Sequence, residues 1–246
     1  MWTVVGASVA GRGKAAVGGA CQDASDWLVE SNLACLVVAD GAGSRPMSAH
    51  GSRLAVECVL RQAAVLGETT GVDPADWLPR VVDQVRRCLV RSAADNGDQV
   101  GDYATTLAVA VLAGEVLGVA QVGDTIAVAG EAGRYRTLAP APRFEYVNET
   151  VFVTDPGAID QLRLTTLPAD EVDAVFLSTD GLRLKIIDDL AVGNPFVPFF
   201  DDVAAYVRSP GANSDAVHRF LTEVDDQSGD DKSLVVAVRR QGTGAV

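Results

Sequence analysis

Two apolar segments of the chain end in the same way, on an aspartate followed by a glycine. The first runs from Leu33 to Ala39 and continues into Asp40-Gly41, and the second, Val175–Thr179, continues into Asp180-Gly181. A buried strand that ends on an Asp brings a carboxylate to the edge of its sheet, and the glycine beside it leaves a backbone carbonyl accessible. These are the oxygen ligands that hard divalent cations prefer. A single Asp-Gly pair is also an ordinary turn signal, so the repetition is the informative feature.

Further aspartates stand at the predicted edges of strands, at Asp23, Asp124 and the Asp230-Asp231 pair. Each one taken alone is explained more simply as a cap or turn residue, and solvent alone could accommodate Asp230-Asp231. Together, however, so many strand-edge acids would repel one another unless cations held them. The chain has only two histidines, and no His or Cys accompanies these acids at a zinc-like spacing. The pattern therefore favours Mg²⁺ or Mn²⁺ over zinc.

The composition excludes several classes of partner. A net charge of −13 over 246 residues argues against binding to nucleic acid or to an anionic membrane, because both need a basic surface. The N-terminus lacks the pattern of a signal peptide, and charged or polar residues interrupt the most apolar stretch, 104–130. The four cysteines form no CxxC pair, which is typical of reduced thiols in a cytoplasmic protein. We expect a single domain spanning residues 1–246.

Sequence periodicity predicts the following elements. Two neighbouring helices, one starting at Pro46 and one at Asp73-Pro74, should pack as an antiparallel pair, and a second helix pair is expected at 199–207 and 213–224. A first strand is expected at 2–11, followed by a loop through Arg12-Gly13-Lys14. Further strands are predicted at 27–30, 33–40, 105–112, 116–122, 126–129 and 233–238.

The strands in the middle of the chain indicate how these elements are layered. Three short Val-rich strands between 105 and 129 are separated by turn residues, which predicts a meander of antiparallel hairpins. They barely alternate between apolar and polar residues, as expected of strands that are buried on both faces. We therefore predict an α+β fold, a four-layer αββα sandwich of two antiparallel sheets flanked by helix pairs. Segments 139–160 and 185–198 are interpreted as excursions from the sheets.

The order of motifs along the chain resembles that of the metal-dependent protein phosphatases of type 2C, the PPM family. The similarity is greatest to the bacterial subgroup whose first motif is Cys-Gln-Asp. It extends over residues 6–238, and the family's fold is an αββα sandwich. The motifs are Cys21-Gln22-Asp23, Val38-Ala39-Asp40-Gly41-Ala42-Gly43, Ala104-Thr105-Thr106-Leu107, Val122-Gly123-Asp124-Thr125, Ser178-Thr179-Asp180-Gly181-Leu182 and Asp230-Asp231-Lys232-Ser233.

The resemblance implies a role for each acid. Asp40 would bridge two metal ions, with the Gly41 carbonyl on one of them, while Asp180 and Asp230 would complete the other. Asp23 would hold a water of the centre, and Asp124 matches the position for a weaker third ion.

The family's chemistry follows from such a centre. Two cations of Mn²⁺ or Mg²⁺ lower the pKa of a shared water, which then attacks a phosphomonoester in line. The resemblance therefore implies a serine/threonine phosphoprotein phosphatase whose substrate is a phosphorylated protein.

The chain departs from the family pattern at three places. Gly18 replaces an Arg that grips phosphate in many members, and Lys14 stands where the subgroup often has a His. Lys14 is predicted to bind the substrate phosphate as a point charge, the alternative being a solvent-exposed loop lysine. Ala42 replaces a His that is a candidate acid for the leaving group. His50 is a possible substitute for it, although a helix-surface histidine without a role is the simpler interpretation.

Two other functions are consistent with this sequence. One is an inactive or catalytically weak regulatory module that reads phosphate on the same fold, which the changes at Lys14 and Ala42 would favour. The other is a phosphohydrolase for small molecules, although no P-loop or aromatic cluster for a nucleotide base is present. The presence of every inferred metal carboxylate favours the protein phosphatase. Oligomeric state, physiological substrate and preferred metal remain open.

Overall fold

A computed structural model of the chain describes residues 1–67, 71–139, 150–190, 193–224 and 228–240. Its helices are α1 (Arg12–Ala16), α2 (Ser48–Gly67), α3 (Pro74–Asn96), α4 (Arg183–Ile186), α5 (Val197–Arg208) and α6 (Ser214–Glu223). Its strands are β1 (Trp2–Val9), β2 (Asp23–Val29), β3 (Leu33–Asp40), β4 (Leu107–Ala113), β5 (Val116–Val122), β6 (Ile126–Glu131), β7 (Arg134–Leu138), β8 (Arg163–Pro168), β9 (Ala174–Ser178), β10 (Ile187–Asp189), β11 (Asn194–Pro195) and β12 (Lys232–Arg239).

Ten of the strands form two antiparallel five-stranded sheets. The first sheet has the order β1-β12-β9-β6-β7 and the second the order β2-β3-β4-β5-β8. Side chains from both sheets meet in an apolar layer that includes Leu36, Ala110, Leu177 and Val235, all fully buried. Because β1 pairs with β12 along its whole length, the first and last strands are neighbours in one sheet.

Helices cover the outer face of each sheet. The pair α2 and α3 packs on the second sheet through residues such as Val59 and Leu89. The pair α5 and α6 packs on the first sheet through Phe200 and Leu221. The predicted αββα sandwich is confirmed, and so is the reason given for it, since β4, β5 and β6 are buried at every residue except one at an end of each strand. Burial of each large aliphatic side chain contributes about 1.5–3 kcal/mol relative to its exposure.

The predicted meander is only half correct. Strands β4 and β5 form a hairpin in the second sheet, but β6 belongs to the first sheet, where it pairs with β9 and β7. The chain changes sheets at Gly123, whose φ of +94° is easily adopted only by glycine. This crossing, and not a hairpin turn, places Asp124 between the two sheets.

Other boundaries also differ from the prediction. The segment after β1 contains the short helix α1, where a loop was expected, and β2 begins at Asp23, four residues earlier than predicted. Strands β7 and β8 were not predicted, because they lie at sheet edges and carry exposed polar or charged residues that mask the strand pattern. Parts of both predicted excursions, 140–149 and 191–192, lie outside the described residues.

Two further expectations concern cysteines and membranes. All four cysteines are free thiols, as predicted. In the part of the chain that the structure describes, no helix combines the length and the apolar character needed to cross a membrane.

Candidate active site

Three of the predicted metal ligands lie together at one end of the sandwich. Asp40 ends β3 in the second sheet, Asp180 follows β9 in the first sheet, and Asp124 occupies the crossing between the sheets. One carboxylate oxygen of each lies within 4.8 Å of the other two. We call these three residues the acidic cluster.

The electrostatics of the acidic cluster show carboxylates that are short of positive charge. Burial, followed by the charges of Asp23 and Asp180, raises the pKa of Asp40 well above its ordinary value. Burial and the charge of Asp124 raise the pKa of Asp180 to about 6. Oδ1 of Asp180 is buried and has no hydrogen-bond partner among the described residues. Close carboxylates in this state are stabilised by a proton or by a cation.

The backbone at Asp40 is fixed by the Thr105-Thr106 motif. The amide of Asp40 donates to Oγ1 of Thr106 at 3.0 Å, and its carbonyl accepts from Oγ1 of Thr105 at 3.0 Å and from the amide of Thr106 at 2.8 Å. These bonds continue the pairing of β3 past Val38, the last β3 residue that is in register with β4, as far as the end of the strand at Asp40. They hold the carboxylate at a defined position on the sheet edge.

The glycines of the two Asp-Gly pairs allow close packing against the site. A side chain at Gly41 would place its Cβ 2.6 Å from the carbonyl oxygen of Ser48, at the start of α2. A side chain at Gly181 would clash with the carbonyl oxygen of Asp231. Both glycines therefore let another segment approach an aspartate of the acidic cluster. The predicted role of the Gly41 carbonyl as a metal ligand is a separate matter and stays a prediction.

Asp23 lies beside the acidic cluster and is held from the opposite sheet. It pairs directly with Asp40 in the register of β2 and β3 and is 5% exposed. Its Oδ2 accepts hydrogen bonds from Oγ1 of Thr179 at 2.7 Å and from Oγ of Ser233 at 3.0 Å. Burial raises the pKa of Asp23 to about 7. Its Oδ1 is buried without a partner among the described residues, so this oxygen is available to a ligand of the site.

The neighbouring residues Asp230 and Asp231 occupy different environments. Asp230 is exposed and close enough for its charge to raise the pKa of both Asp40 and Asp180. Asp231 is 2% exposed and fully engaged. Its carboxylate accepts from the amide of Gly11 at 2.8 Å and the amide of Gln22 at 2.7 Å, and it forms a 2.7 Å ion pair with Lys14.

Lys14 lies in α1, close to the site but already bound. Its ammonium donates to Asp231 and to Oε1 of Gln22, each at 2.7 Å. Burial lowers the pKa of Lys14, but the hydrogen bond and charge of Asp231 outweigh this effect and raise it overall. Two of its three N–H groups are used in these contacts, which leaves one for another acceptor. Its predicted contact with the substrate phosphate stays a prediction.

The structure adds residues that the sequence analysis did not single out. Thr179 and Ser233 stand inside the matched motifs, but their role depends on contact between sheets, which no local pattern reveals. Arg183 is exposed on α4, and its charge lowers the pKa of Asp180. Arg163 donates to the carbonyl of Gly123 at 2.7 Å and so supports the crossing that carries Asp124. The available signal for Arg183 was its place in the sequence, because it is a basic residue three positions after Asp180.

His50 is on the outer side of α2 and takes no part in this arrangement. Its ring packs edge-on against Tyr103, and its Nε2 lies 3.4 Å from Oγ of Ser92. These contacts direct it toward α3, in agreement with the simpler interpretation of a helix-surface histidine. Ala42 is buried beside the site and brings no acid to it.

The donor set of the site suits divalent cations. It offers carboxylate oxygens from the acidic cluster and from Asp230, and two buried carboxylate oxygens, on Asp23 and Asp180, lack partners among the described residues. Hard oxygen ligands of this kind select Mg²⁺ or Mn²⁺. A bound cation would also oppose the burial and the neighbouring negative charges that raise the pKa of Asp23, Asp40 and Asp180.

Comparison with known sequences identifies related proteins. The model of the family described as "Protein phosphatase 2C" matches residues 10–222. The chain is 28% identical to "Serine/threonine-protein phosphatase 3" of Escherichia coli (strain K12), and the match covers 96% of this chain and 98% of that protein.

Comparison with solved structures supports the same fold. The serine/threonine phosphatase Stp1 from Staphylococcus aureus superposes with a TM-score of 0.68 at 15% identity, covering 98% of this chain and 96% of Stp1. The catalytic domain of the serine threonine protein phosphatase PstP, solved with two manganese ions, superposes with a TM-score of 0.69 at 18% identity, covering 98% of this chain and 99% of that domain.

Proposed function

Because the chain belongs to the protein phosphatase 2C family, we propose that it hydrolyses phosphoserine and phosphothreonine in proteins with the help of Mn²⁺ or Mg²⁺. The observation that carries this proposal is the acidic cluster, in which three carboxylates from both sheets converge and the pKa values of Asp40 and Asp180 are raised, although the charge of the exposed Arg183 acts on Asp180 in the opposite direction. A cluster of this kind is unfavourable in an inert scaffold, since like charges raise one another's pKa. It is favourable where the function requires cations.

The residues would share the binding of cations as follows. Asp40, Asp180 and Asp230, with the carbonyl of Gly41, would hold two ions, and Asp124 would serve a third. When bound, such cations lower the pKa of water and neutralise charge that develops on a phosphoryl group. Asp230 suits a site that opens to substrate, because it is exposed while Asp23 beside the cluster is buried.

Asp23 would orient the water that attacks phosphorus. Two hydroxyl donors hold its Oδ2, so the carboxylate cannot rotate freely, and Oδ1 is left as an acceptor. A water that donates one proton to Oδ1 has its lone pairs directed away from Asp23. Orientation of the nucleophile in this way is a recognised source of rate enhancement.

Lys14 would contribute a positive charge at the substrate side of the site. Its ammonium is fixed by Asp231 and Gln22 and keeps one N–H free for a phosphate oxygen. The chain carries a net charge of −13, so a fixed cation near the acidic cluster would help an anionic substrate to approach. We propose further that residues 1–246 work as one catalytic domain in the cytoplasm.

Phosphate release from a phosphothreonine peptide, measured with and without Mn²⁺, tests the proposal. We expect release that requires Mn²⁺, that stops on addition of a chelator and that falls by about 10²-fold or more in Asp40→Asn. Asp95→Asn, which removes an exposed carboxylate from α3, is the matched control and should retain full activity. Absence of release at every Mn²⁺ concentration would favour the regulatory module, whereas release only from small phosphate esters would favour the phosphohydrolase.

A further inference from the structure

A concave pocket lies at the end of the first sheet that is remote from the acidic cluster. It has a volume of about 460 Å³, and its polar lining comes from Thr3, Arg208, Ser209, Arg239 and Arg240. We call these five residues the arginine pocket. Asp230 and Asp231 precede β12, and Arg239 ends it, so the pocket and the site are separated by the strand's eight residues. At about 3.3 Å per residue, this distance is about 26 Å.

Arg239 is rigidly placed in this pocket. Its guanidinium donates through Nε to the carbonyl of Val172 at 3.2 Å and through Nη2 to the carbonyl of Ala169. It also lies over the ring of Trp2, with Cζ 4.9 Å from the ring centroid. These contacts fix the plane of the guanidinium and leave Nη1 without a partner among the described residues.

The guanidinium groups of Arg208 and Arg240 also have contacts that restrict their orientation. Nε of Arg240 donates to Oγ1 of Thr3 at 2.8 Å, and Nη2 of Arg208 lies 3.5 Å from Oδ1 of Asp173. Within the described residues, Nη2 of Arg240 and Nη1 of Arg208 have no hydrogen-bond partner. Each of the three guanidinium groups therefore retains a free donor nitrogen while its orientation is restricted.

The balance of charge in the pocket is positive. Three arginines line it, no acidic side chain does so among the described residues, and only Arg208 has a carboxylate partner there, Asp173. In a chain of net charge −13, the grouping of three guanidinium groups around one concavity is the reverse of the general distribution. Like charges placed together are unfavourable unless an anion compensates them.

We propose that the arginine pocket binds an anion of the phosphate class, at a site separate from the catalytic centre. Guanidinium groups present forked N–H donors that match phosphate oxygens in pairs, and such charge-assisted bonds are stronger than neutral ones. The hydroxyls of Thr3 and Ser209 supply additional neutral hydrogen-bonding groups. The volume exceeds what one phosphate needs, so the phosphoryl group is carried either by a protein segment or by a small phosphate ester. The proposal does not depend on phosphatase activity.

Calorimetric titration of the metal-free protein, residues 1–246, tests the proposal. A chelator in the buffer removes divalent cations, so the acidic cluster offers no attraction to an anion. Two probes are titrated, inorganic pyrophosphate and a phosphoserine peptide. We expect one binding site, with an affinity that decreases as salt is added. Tighter binding of the peptide would indicate a protein ligand, and tighter binding of pyrophosphate a small phosphate ester.

Matched variants locate the site. Arg208→Gln/Arg240→Gln keeps Arg239 with its structural contacts and should weaken binding about tenfold or more. Arg91→Gln removes an exposed positive charge from α3 and should bind like the wild type. Phosphate release from a small aryl phosphate should be unchanged in all variants, because the pocket is remote from the site.

If the double variant does not fold, Arg240→Gln alone, at an exposed position, should weaken binding measurably. The proposal is overturned if the wild type binds neither probe at millimolar concentration, or if the folded variant binds as tightly as Arg91→Gln.

Discussion

Two groups of carboxylates lie at the same end of the sandwich, and they differ in what neutralises them. The acidic cluster of Asp40, Asp124 and Asp180 has raised pKa values at Asp40 and Asp180 and a buried oxygen without a partner among the described residues. Asp231, one residue away from Asp230, is satisfied by two amides and by the Lys14 ammonium. The acidic cluster is arranged for an added cation. Asp231 instead holds the segment between β1 and β2 against the start of β12 through two hydrogen bonds and an ion pair. We call Asp231 with these contacts the structural anchor.

This comparison shows that the burial of a carboxylate does not by itself indicate whether the carboxylate binds a metal. What distinguishes a metal-binding carboxylate from a structural one is whether the protein supplies hydrogen-bond donors to its oxygens. A carboxylate that accepts several amide hydrogen bonds is stabilised in its charged form, whereas one surrounded by other carboxylates is destabilised until a cation or proton arrives. Substitutions in the two groups should therefore have opposite effects on the stability of the metal-free protein.

The largest effect is expected for Asp40→Asn. Loss of the carboxylate should reduce phosphate release from a phosphothreonine peptide by about 10²-fold or more, because charge stabilisation at the phosphoryl group depends on it. The same variant should unfold at a higher temperature than the wild type when both are metal-free at pH 7, since it removes the cost of burying Asp40 beside Asp23 and Asp180, which raises the pKa of Asp40 to about 10. Steady-state kinetics and thermal unfolding in chelator measure the two effects. A metal-free variant that is less stable than the wild type would contradict the interpretation of the cluster.

Asp231→Asn should have the opposite effect on stability. The substitution leaves Lys14 partly buried without its ionic partner and weakens two hydrogen bonds from amides. Loss of one partner from a buried, hydrogen-bonded ion pair costs about 3 kcal/mol. Denaturant unfolding of the metal-free protein should show a decrease of this order, with Asp170→Asn, at an exposed position, as the control. Equal stability of the two variants would mean that the Asp231 contacts do not anchor the segment.

Much of this fold could be predicted from the sequence, because it depends on local and repetitive patterns. The four layers followed from strands that lack alternation and from two helix pairs. The sheet to which β6 belongs could not be predicted, because Gly123 permits both a hairpin turn and a crossing between sheets. The edge strands β7 and β8 carry polar residues that hide the strand pattern.

The candidate site was predictable to a similar degree. The strand-end aspartates could be recognised from the Asp-Gly pairs and the order of motifs. The different environments of Asp230 and Asp231 could not, because they depend on amides from Gly11 and Gln22, which are distant in sequence. The contacts of Thr179 and Ser233 with Asp23 likewise join the two sheets and have no local signal.

The third prediction concerns pH and metal. In the metal-free protein, burial raises the pKa of Asp23 to about 7 and that of Asp180 to about 6, from 3.8. The folded state therefore binds more protons than the unfolded state, and the free energy of unfolding should decrease as pH rises from about 4 to about 7. Saturating Mn²⁺ should restore about 2.7 kcal/mol at a hundredfold excess over Kd. Thermal unfolding across this pH range measures both effects. The increase with Mn²⁺ should vanish in Asp180→Asn/Asp230→Asn, and its persistence there would place the cation elsewhere.

A smaller effect is expected from the hydroxyls that hold Asp23. Ser233→Ala and Thr179→Val should each reduce kcat by about 10-fold, as is usual for residues that orient a group of a metal site. KM should change less, because neither hydroxyl is predicted to contact substrate. Thr179→Ser keeps the donor and should recover most of the activity, which separates positioning of Asp23 from general damage to packing. A Thr179→Ser variant as slow as Thr179→Val would assign the loss to packing.

The smallest and most discriminating effect is expected at Lys14, which contacts the structural anchor and is predicted to contact the substrate. Lys14→Ala removes the ionic partner of Asp231, so the free energy of unfolding should decrease, by less than in Asp231→Asn because Lys14 is 30% exposed. If its remaining N–H also binds the substrate phosphate, KM for a phosphopeptide should rise by a few-fold while kcat changes less, since a contact made equally in the ground and transition states acts on binding. Affinity for Mn²⁺, measured by calorimetry, should be unchanged.

Lys14→Met separates the two roles of this residue, because it retains the length of the side chain and removes only the charge. A rise in KM in both variants, with the smaller loss of stability in Lys14→Met, would assign Lys14 to the substrate side of the site as well as to the anchor. A loss of stability with KM within about twofold of the wild type, a difference of only ~0.4 kcal/mol, would show that Lys14 serves Asp231 alone. In that case the exposed Arg183, whose charge already acts on Asp180, becomes the cation to test for phosphate binding. The structural anchor would then have no part in substrate binding, which would be left to groups beside the acidic cluster.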